Sequence, residues 1–405
     1  MAAAWLGPMP IAAAQDAAPE PPGAISLDAA LALASAHNPT LSAARHALDA
    51  AEGGITQARV IPNPEVAVLV EDTRQATRTT TAQMNLPVEL GGKRAARIGA
   101  AQRGRELAQA QLRATESDLR ASVIGAFFNV LVAQERVRLA ASSAGIAARG
   151  ASVAARRVAA GKISPVEETK AGVELANAEL ERAEADAALV GARHALSTLW
   201  GNPSPRFAEA DGSLDTLSAL PARPDAALLR DGLDAAPAAV ASQRELARRQ
   251  AEINVQRSQQ YPDVTLSVGA KRENAGDRGY YPVLGVAIPL PLFDRNQGNL
   301  YTAIRQADKA ADEYRATRLR LDHDLQQATS QLAVSRSSAQ ALRDTVLPAA
   351  QHAYQAATQG FEAGKFSYLE VLDAQRTLFQ VRIRYLGVVA SAWQAATTID
   401  RILGR

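Results

Sequence analysis

The 405-residue sequence contains no cysteine, which excludes disulfides, thiolate metal sites and a lipid-modified N-terminal cysteine. Aromatic residues are also scarce, at 4%, whereas alanine is abundant in every long segment. Alanine has the highest helix propensity but buries little area, so the composition favours long helices packed side by side over one thick globular core. Acidic and basic residues are mixed and the net charge is only +2, which provides no stripe for binding nucleic acid.

Long hydrophobic runs are absent too, and the lack of about eighteen consecutive apolar residues predicts that there is no transmembrane helix. A shorter apolar stretch reaches Ala12, Ala13 and Ala14, an A-x-A-like pattern before Gln15. It predicts the remnant of a secretory signal peptide at the start of an extended segment, residues 1–26, although the basic residues that usually begin such a signal are missing. A disordered Ala/Pro-rich tail is the alternative.

Enzyme motifs are also lacking. The sequence has no G-x-S-x-G, no phosphate-binding glycine loop and no H-E-x-x-H. The five histidines are scattered and form no ligand pair at i, i+4: His37, His46, His194, His323 and His352. We therefore expect no enzyme, no catalytic residue, no cofactor and no tight metal site.

What the sequence does contain is an internal duplication. Three landmarks recur in the same order about 200 residues apart. They pair Pro64 with Pro262, Pro87 with Pro289, and Gly161 with Gly364. The repetition predicts a first repeat over 27–200, a linker over 201–223 and a second repeat over 224–405. Each repeat has the pattern of helix, two strands, a very long helix, a short tip and another long helix.

The predicted strands form two hairpins, at about 64–71 with 79–90 and at about 262–271 with 280–292. Apolar and polar residues alternate along them, which suits a strand that faces lipid on one side and a polar lumen on the other. The loops at 71–78 and 271–279 are too charged for a bilayer, so we expect them to be exposed. Four aromatic residues flank the strands where an interfacial girdle would lie: Tyr261, Tyr280, Tyr281 and Phe293. A soluble decoration made of two hairpins is the alternative.

Four strands cannot close a barrel, and lipid does not tolerate an open sheet edge. The smallest closed membrane barrels use about eight strands. The chain is therefore expected to associate with copies of itself. Two copies would supply eight strands and three would supply twelve, so counting alone leaves the stoichiometry open.

Two long helices are predicted, one from about Lys93 to Ala160 and one from an N-cap at Asp294 to about Gln359. The repeated phrases AGKISPVEETKA (160–171) and AGKFSYLEVLDA (363–374) then place helical hairpin tips near 161–165 and 361–367. A glycine ends the helix at each tip, and Ser164-Pro165 begins the next. An earlier helix is expected to break at Asn38-Pro39.

The last helix carries apolar residues at coiled-coil spacing. They predict a buried seam of Leu372, Phe379, Ile383, Leu386, Ala390 and Trp393.

Four separated motifs resemble landmarks of the TolC-like outer-membrane efflux proteins. They are ALALASAHNPTLSAARHAL (30–48), NLPVELGGKRAARIGAAQ (85–102), AIPLPLFDRNQGNL (287–300) and GFEAGKFSYLEVLDAQRTL (360–378). The phrases VELGGKR and AGKISPVEETKA are most similar to the heavy-metal branch, the cobalt–zinc–cadmium resistance channels. The match covers almost the whole chain after about residue 26.

This resemblance implies a mainly α fold with a membrane β-barrel. In such a homotrimer, four strands per chain build a twelve-stranded barrel in outer-membrane lipid, and the helical hairpins form a periplasmic tunnel. The tunnel would dock with a periplasmic adaptor and an inner-membrane, proton-driven pump of the RND type. The implied function is a passive duct for divalent heavy-metal cations, which needs no tight metal site. The alternatives are a duct for organic compounds or drugs, a periplasmic adaptor, or a structural coiled-coil protein.

The resemblance also carries over residues at the tips. Glu167, Glu370 and Asp373 match acids that line a periplasmic constriction, and rings of carboxylates favour cations. The alternative is that they are acids that stabilise helix N-termini. Phe361 and Phe366 stand where well-known relatives carry tyrosine and arginine, so if the tip closes we expect aromatic contact there in place of a polar lock.

The glycine and lysine of each tip, Gly161 with Lys162 and Gly364 with Lys365, are candidate adaptor contacts. Ordinary solvation is the alternative role for both lysines.

Overall fold

The computed structural model describes residues 20–72, 74–274 and 279–405. The predicted signal remnant up to residue 19, including its cleavage pattern, lies outside the described residues, as do 73 and 275–278 of the two predicted strand loops.

Helices dominate the described part of the chain, with six strands between them. The strands are β1 Ala24–Ile25, β2 Glu65–Glu71, β3 Thr79–Val88, β4 Glu209–Ala210, β5 Val264–Glu273 and β6 Tyr280–Ala287. The helices are α1 Leu27–His37, α2 Pro39–Arg59, α3 Lys93–Ala159, α4 Pro165–Thr198, α5 Leu214–Ser218, α6 Ala226–Leu229, α7 Pro237–Ser258, α8 Gln297–Ala341, α9 Leu347–Glu362 and α10 Tyr368–Leu403. A 3-10 turn, Arg230–Ala235, precedes α7, and a π-helical turn, Leu342–Val346, joins α8 to α9.

The chain forms two compact units. Among the described residues, the tip unit comprises 20–39, Asp118–Arg223 and Gln327–Arg401. The sheet unit comprises Thr40–Ser117, Pro224–Gln326 and Ile402–Arg405. Each sequence repeat contributes to both units, because α3 and α8 each pass from one to the other.

The first long helix matches its prediction closely. α3 contains 67 residues and is therefore about 100 Å long. The break at Asn38-Pro39 is also confirmed, because Asn38 caps the end of α1 and Pro39 begins α2. Proline suits the first turn of a helix, where its missing N–H has no partner to lose.

The second long helix differs from its prediction at both the start and the middle. Asp294 is not the N-cap, because α8 begins at Gln297 and the Asp294 carboxylate accepts from the Asn296 N–H at 2.8 Å. Asn296 has φ +54°, so the chain turns once more before the helix. The π-helical turn interrupts the helix just before Pro348, a residue that cannot donate the usual backbone hydrogen bond.

The core of the tip unit lies where the predicted linker packs against the helices. Trp200, Phe207 and Leu217 are almost completely buried among residues of α1, α3 and α10. The indole of Trp393 stacks on Phe128, with ring centroids 3.7 Å apart. The segment 201–223 is therefore an integral part of this unit.

The predicted seam of α10 is partly wrong. Leu372 and Leu386 are buried, but the other four predicted positions are only half-buried. The fully buried stripe lies mostly on adjacent positions: Val371, Gln375, Leu378, Tyr385, Val389, Ala392, Ala396 and Ile399. α10 packs against several elements of this unit, which rotates its buried face relative to a simple two-helix seam.

The sheet unit contains one antiparallel sheet in the order β2-β3-β5-β6, so the two predicted hairpins pair side by side. One cross-strand row joins Val66, Met84, Val268 and Leu284, and all four side chains are exposed. The opposite face is polar: Asn85 accepts from the Ser267 hydroxyl at 2.7 Å. The sheet therefore presents apolar rows outward and a hydrogen-bonded polar face.

The strand ends differ from those predicted. β6 stops at Ala287 and not at 292, because Pro289 and Pro291 have no N–H to donate to a ladder. β3 stops at Val88 and not at 90, just before the two left-handed glycines at 91 and 92. β2 begins one residue later than predicted, and β5 is displaced by two residues to Val264–Glu273.

Candidate functional site at the helical hairpin tips

The two tips of the tip unit have the same backbone structure, which explains the repeated phrase. At the first tip, Gly161 has φ +65°, and the Lys162 N–H donates to the Arg157 carbonyl at 2.8 Å. At the second, Gly364 has φ +73°, and Lys365 makes the same 2.8 Å bond to the Gly360 carbonyl. Both are Schellman motifs, in which a left-handed glycine lets the chain satisfy the last helical carbonyls.

The tip glycines and lysines are all exposed, as an adaptor contact would require. Their role in docking stays a prediction.

The following helices are capped differently. Ser164 caps α4 by accepting from the Val166 N–H at 3.3 Å, and Pro165 occupies the first turn. At α10, the Glu370 carboxylate accepts from the Ser367 N–H at 2.7 Å and from its hydroxyl at 3.0 Å. This is half of a capping box, so Glu370 has a structural role at the helix N-terminus.

The other two predicted acids lie on different elements. Glu167 is half-buried in the first turn of α4, and Asp373 is exposed one turn beyond Glu370 on α10. Their place in a constriction is untested and stays a prediction.

The predicted aromatic contact involves Phe361 but not Phe366. The ring of Phe361 lies 5.4 Å from the ring of Tyr368, and the Arg157 guanidinium carbon sits 4.1 Å from its centroid. Phe366 is 45% exposed, and its ring covers Gly360, where an added Cβ would lie 2.8 Å from the ring Cγ. Phe361 and Phe366 therefore have different surroundings in this chain, and their part in closing the tip stays a prediction.

Arg157 and Tyr368 were missed by the sequence reasoning. Arg157 ends the first long helix and Phe361 ends the second, so their cation–π contact connects the two hairpins. Tyr368 occupies the position that Pro165 has in the first tip. This difference between the two repeats is the sequence feature that could have identified Tyr368.

Tyr368 is the central side chain of this junction. It is only 5% exposed, and its ring fits against Gly150 so closely that a Cβ there would overlap the hydroxyl. It packs with small and apolar residues of both hairpins: Ala154, Ala171, Ala357, Val371 and Leu372. Burial raises the pKa of Tyr368 to about 12, and Tyr354 and Glu174 add to the shift. The phenol is therefore neutral at any physiological pH.

An acidic stripe on α4 was also missed. Glu167, Glu174 and Glu181 are spaced seven residues apart and so share one side of the helix. Burial raises the pKa of Glu181; Arg136 opposes the shift and Glu174 adds to it. Counting residues by seven from the first acid would have found this stripe.

Two features are absent from the described parts of the chain. Within residues 20–72, 74–274 and 279–405, His, Asp and Glu nowhere form a group of three that could hold a metal ion. Over the same residues, the helices include none that is both long and apolar enough to cross a membrane.

Comparison with known proteins places the chain among efflux proteins. Residues 30–202 and 228–405 match the family described as "Outer membrane efflux protein". Over 386 residues the chain is 62% identical to the cobalt-zinc-cadmium resistance protein CzcC of Cupriavidus metallidurans, covering 95% of this chain and 91% of that protein. It is 29% identical over 325 residues to the nickel-cobalt-cadmium resistance protein NccC of Alcaligenes xylosoxydans xylosoxydans, covering 79% and 72%.

A solved structure shares the fold. The crystal structure of CusC, described as undergoing transmembrane channel formation, superposes with a TM-score of 0.78 at 18% identity, covering 93% of this chain and 91% of that one.

Proposed function

Because the chain belongs to the outer membrane efflux protein family, we propose that it is the outer-membrane duct of a tripartite system that exports divalent heavy-metal cations. The observation that supports a duct most directly is the four-stranded sheet. Its apolar rows are exposed, while β2 and β6 form edges that no other strand of the sheet covers. Such a sheet suits lipid only after copies of the chain close it into a barrel.

A homotrimer fits this requirement. Three copies would supply twelve strands, and β2 of one protomer would pair with β6 of the next. The helical part also offers a surface for a second copy, because Val166, Val173 and Leu180 are each at least 57% exposed and lie seven residues apart on α4. This spacing is typical of a helix that packs against another helix. A dimer with eight strands is the alternative that a mass measurement would reveal.

The proposed cargo rests on the relatives. The protein that is 62% identical over 95% of the chain is named for resistance to cobalt, zinc and cadmium. Glu167, Glu370 and Asp373 would add negative charge near the tips of each protomer, where carboxylates attract cations. A passive duct gains nothing from a tight site, since retention would oppose passage.

The partners follow from the same proposal. A passive duct has no energy source of its own, so an inner-membrane pump of the RND type must drive transport. A periplasmic adaptor would bridge the two by holding the exposed tips at Gly161, Lys162, Gly364 and Lys365. The duplicated tips offer each adaptor two similar surfaces.

The experiment that tests the cargo is metal tolerance in a strain deleted for this gene. Zinc, cobalt, cadmium, nickel and copper would be tested beside a dye and a detergent. We expect sensitivity to divalent metals alone, restored by the wild-type gene. Sensitivity to dye and detergent with unchanged metal tolerance would keep the duct and replace its cargo with organic compounds.

A second experiment tests the acids at the tips. The purified channel with both Glu370→Ala and Asp373→Ala should show weaker cation preference in single-channel recordings than wild type. Glu179→Ala, an exposed acid farther along α4, is the matched control. Selectivity unchanged in the double variant would remove Glu370 and Asp373 from the constriction. Retained trimer on a sizing column would show that the variant still assembles.

A further inference from the structure

One end of the sheet, where its strands meet α2, α3, α7 and α8, is bordered by exposed apolar residues. They follow or precede every helix that ends there: Val60, Ile61, Leu90, Tyr261, Ile288, Leu290, Leu292 and Phe293. Phe293 is the extreme case, with 92% of its surface exposed. These residues extend the apolar rows of the sheet to the point where the helices begin.

Four exposed arginines lie within a few residues of this apolar border: Arg59, Arg94, Arg257 and Arg295. Each repeat supplies two of these arginines. Arg59 and Arg257 lie at the ends of α2 and α7, the helices that precede the strands, and Arg94 and Arg295 lie where the chain leaves the sheet toward α3 and α8. The Arg94 guanidinium donates through Nε to the Arg59 backbone carbonyl at 2.8 Å, which ties the first pair together. Gln260, on the same turn as Arg257, donates to the Arg295 carbonyl at 3.2 Å, which places the second pair together.

Two of the four acids at this end, Asp263 and Glu89, are paired with other cations, and a third, Asp294, accepts from the Asn296 N–H. Asp263 accepts from Lys93 at 2.7 Å, and Glu89 pairs with Arg97. Lys93 is 6% exposed, so its ammonium is held inside the structure, while its partner Asp263 stays 40% exposed. In the part of the chain that the structure describes, none of the four border arginines forms an ion pair with a carboxylate.

The opposite end of the sheet is different. There, Glu71, Asp72 and Glu273 are interspersed with Arg74 and Lys271, and Lys271 pairs with Glu273 at 2.7 Å. Among the described residues, charges of both signs therefore stand together at this end, whereas the helix end has the four border arginines beside its apolar residues.

We propose that the border arginines, Arg59, Arg94, Arg257 and Arg295, bind the headgroups of anionic phospholipids in the leaflet next to the helices. This inference rests on the proposed outer-membrane function, because it requires the sheet to be in lipid. An arginine beside exposed leucine and aromatic side chains can keep its stem in the apolar layer and its guanidinium at the phosphates. Its planar fork also binds phosphate oxygens with two hydrogen bonds.

Native mass spectrometry of the detergent-purified protein tests this proposal. Wild type would be mixed with phosphatidylglycerol or phosphatidylcholine of the same chain length, and bound lipids counted. We expect a clear preference for phosphatidylglycerol, reduced on the order of tenfold in affinity when all four arginines are changed to glutamine. Glycerol phosphate at the same concentration should not compete, because the apolar border holds the acyl chains.

The matched control removes the same charge elsewhere. Arg113→Gln, Arg120→Gln, Arg336→Gln and Arg384→Gln change four exposed arginines within the long helices, and this variant should keep the wild-type preference. A variant with four lysines in place of the border arginines keeps the charge and should keep most of the binding. If the glutamine variant fails to assemble, the lysine variant replaces it in the test. Loss of all lipid preference in the lysine variant would show that the site depends on the guanidinium fork and not on charge alone.

Several results would overturn the inference. Equal binding of the two lipids by wild type, or equal loss in the control and the border variants, would remove the border arginines as a lipid site. Competition by glycerol phosphate would replace the lipid with a soluble phosphate. None of these results touches the proposed efflux function, which would instead fail if wild type were absent from the outer-membrane fraction.

Discussion

Replacing Gly150 with alanine should destabilise the junction between the two hairpins, although the same change usually stabilises a helix. Alanine in place of glycine inside a helix contributes about 0.5–1 kcal/mol. At Gly150, however, the new methyl group would overlap the Tyr368 hydroxyl and lie 2.6 Å from the ring Cζ. Overpacking of this kind costs about 1–3 kcal/mol, so the net effect should be a loss of up to about 2.5 kcal/mol.

Gly145 provides the control on the same helix. The nearest atom to a Cβ at Gly145 is the end of the Arg149 side chain at 3.8 Å, so Gly145→Ala should be stabilising. Thermal unfolding of the detergent-solubilised protein, followed by far-UV circular dichroism at one scan rate, would rank the two variants. A double variant, Gly150→Ala with Tyr368→Ala, should recover the benefit of alanine relative to Tyr368→Ala alone. The reasoning is refuted if Gly150→Ala is as stable as Gly145→Ala.

Three further predictions concern the tip unit. Because the Tyr368 pKa is raised to about 12, folding favours the neutral phenol, and the free energy of unfolding should fall as pH rises above about 10. In urea titrations, Tyr368→Phe should therefore lose less stability than wild type between pH 9 and 11.5. Arg157→Leu should weaken the contact with Phe361 by about 0.5–1 kcal/mol, whereas Arg156→Leu should not; equal midpoints would contradict a role for the cation. Glu20→Ala should cost about 2–3 kcal/mol and shift tryptophan fluorescence, because the buried Trp200 N–H would lose its 2.6 Å partner; an unchanged spectrum would show that the pair is dispensable.

The helix ends were predictable because their causes are local. Gly161 and Gly364 must be left-handed to end a helix in a Schellman motif, and glycine adopts that conformation without a steric cost. The break at Pro39 has a similar cause, since proline removes a backbone donor. Alternation along the strands identified the apolar face of the sheet, which the structure confirms for Val268 and Leu266.

The candidate site was predictable only in part. Phe361 was identified through the resemblance, and its aromatic contact was expected. Its partners were not identified, because Arg157 and Tyr368 are separated from it by about 200 and by seven residues, and only the packing of two hairpins brings all three together. A structural role for Glu370 at the helix N-terminus was one alternative, and its hydrogen bonds with Ser367 support it, while the place of Glu370 in a constriction stays a prediction.

Taken alone, the sequence determined where the chain changes conformation and which strand residues are apolar, since backbone sterics and periodicity act over a few residues. It also determined that the chain contains an internal duplication and which family the chain resembles. Only the tertiary structure decided where β6 and α8 begin or end, which stripe of α10 is buried and what surrounds Tyr368. Those features depend on contacts between distant segments, whose geometry is set by the packing of whole helices and is not encoded at any one position.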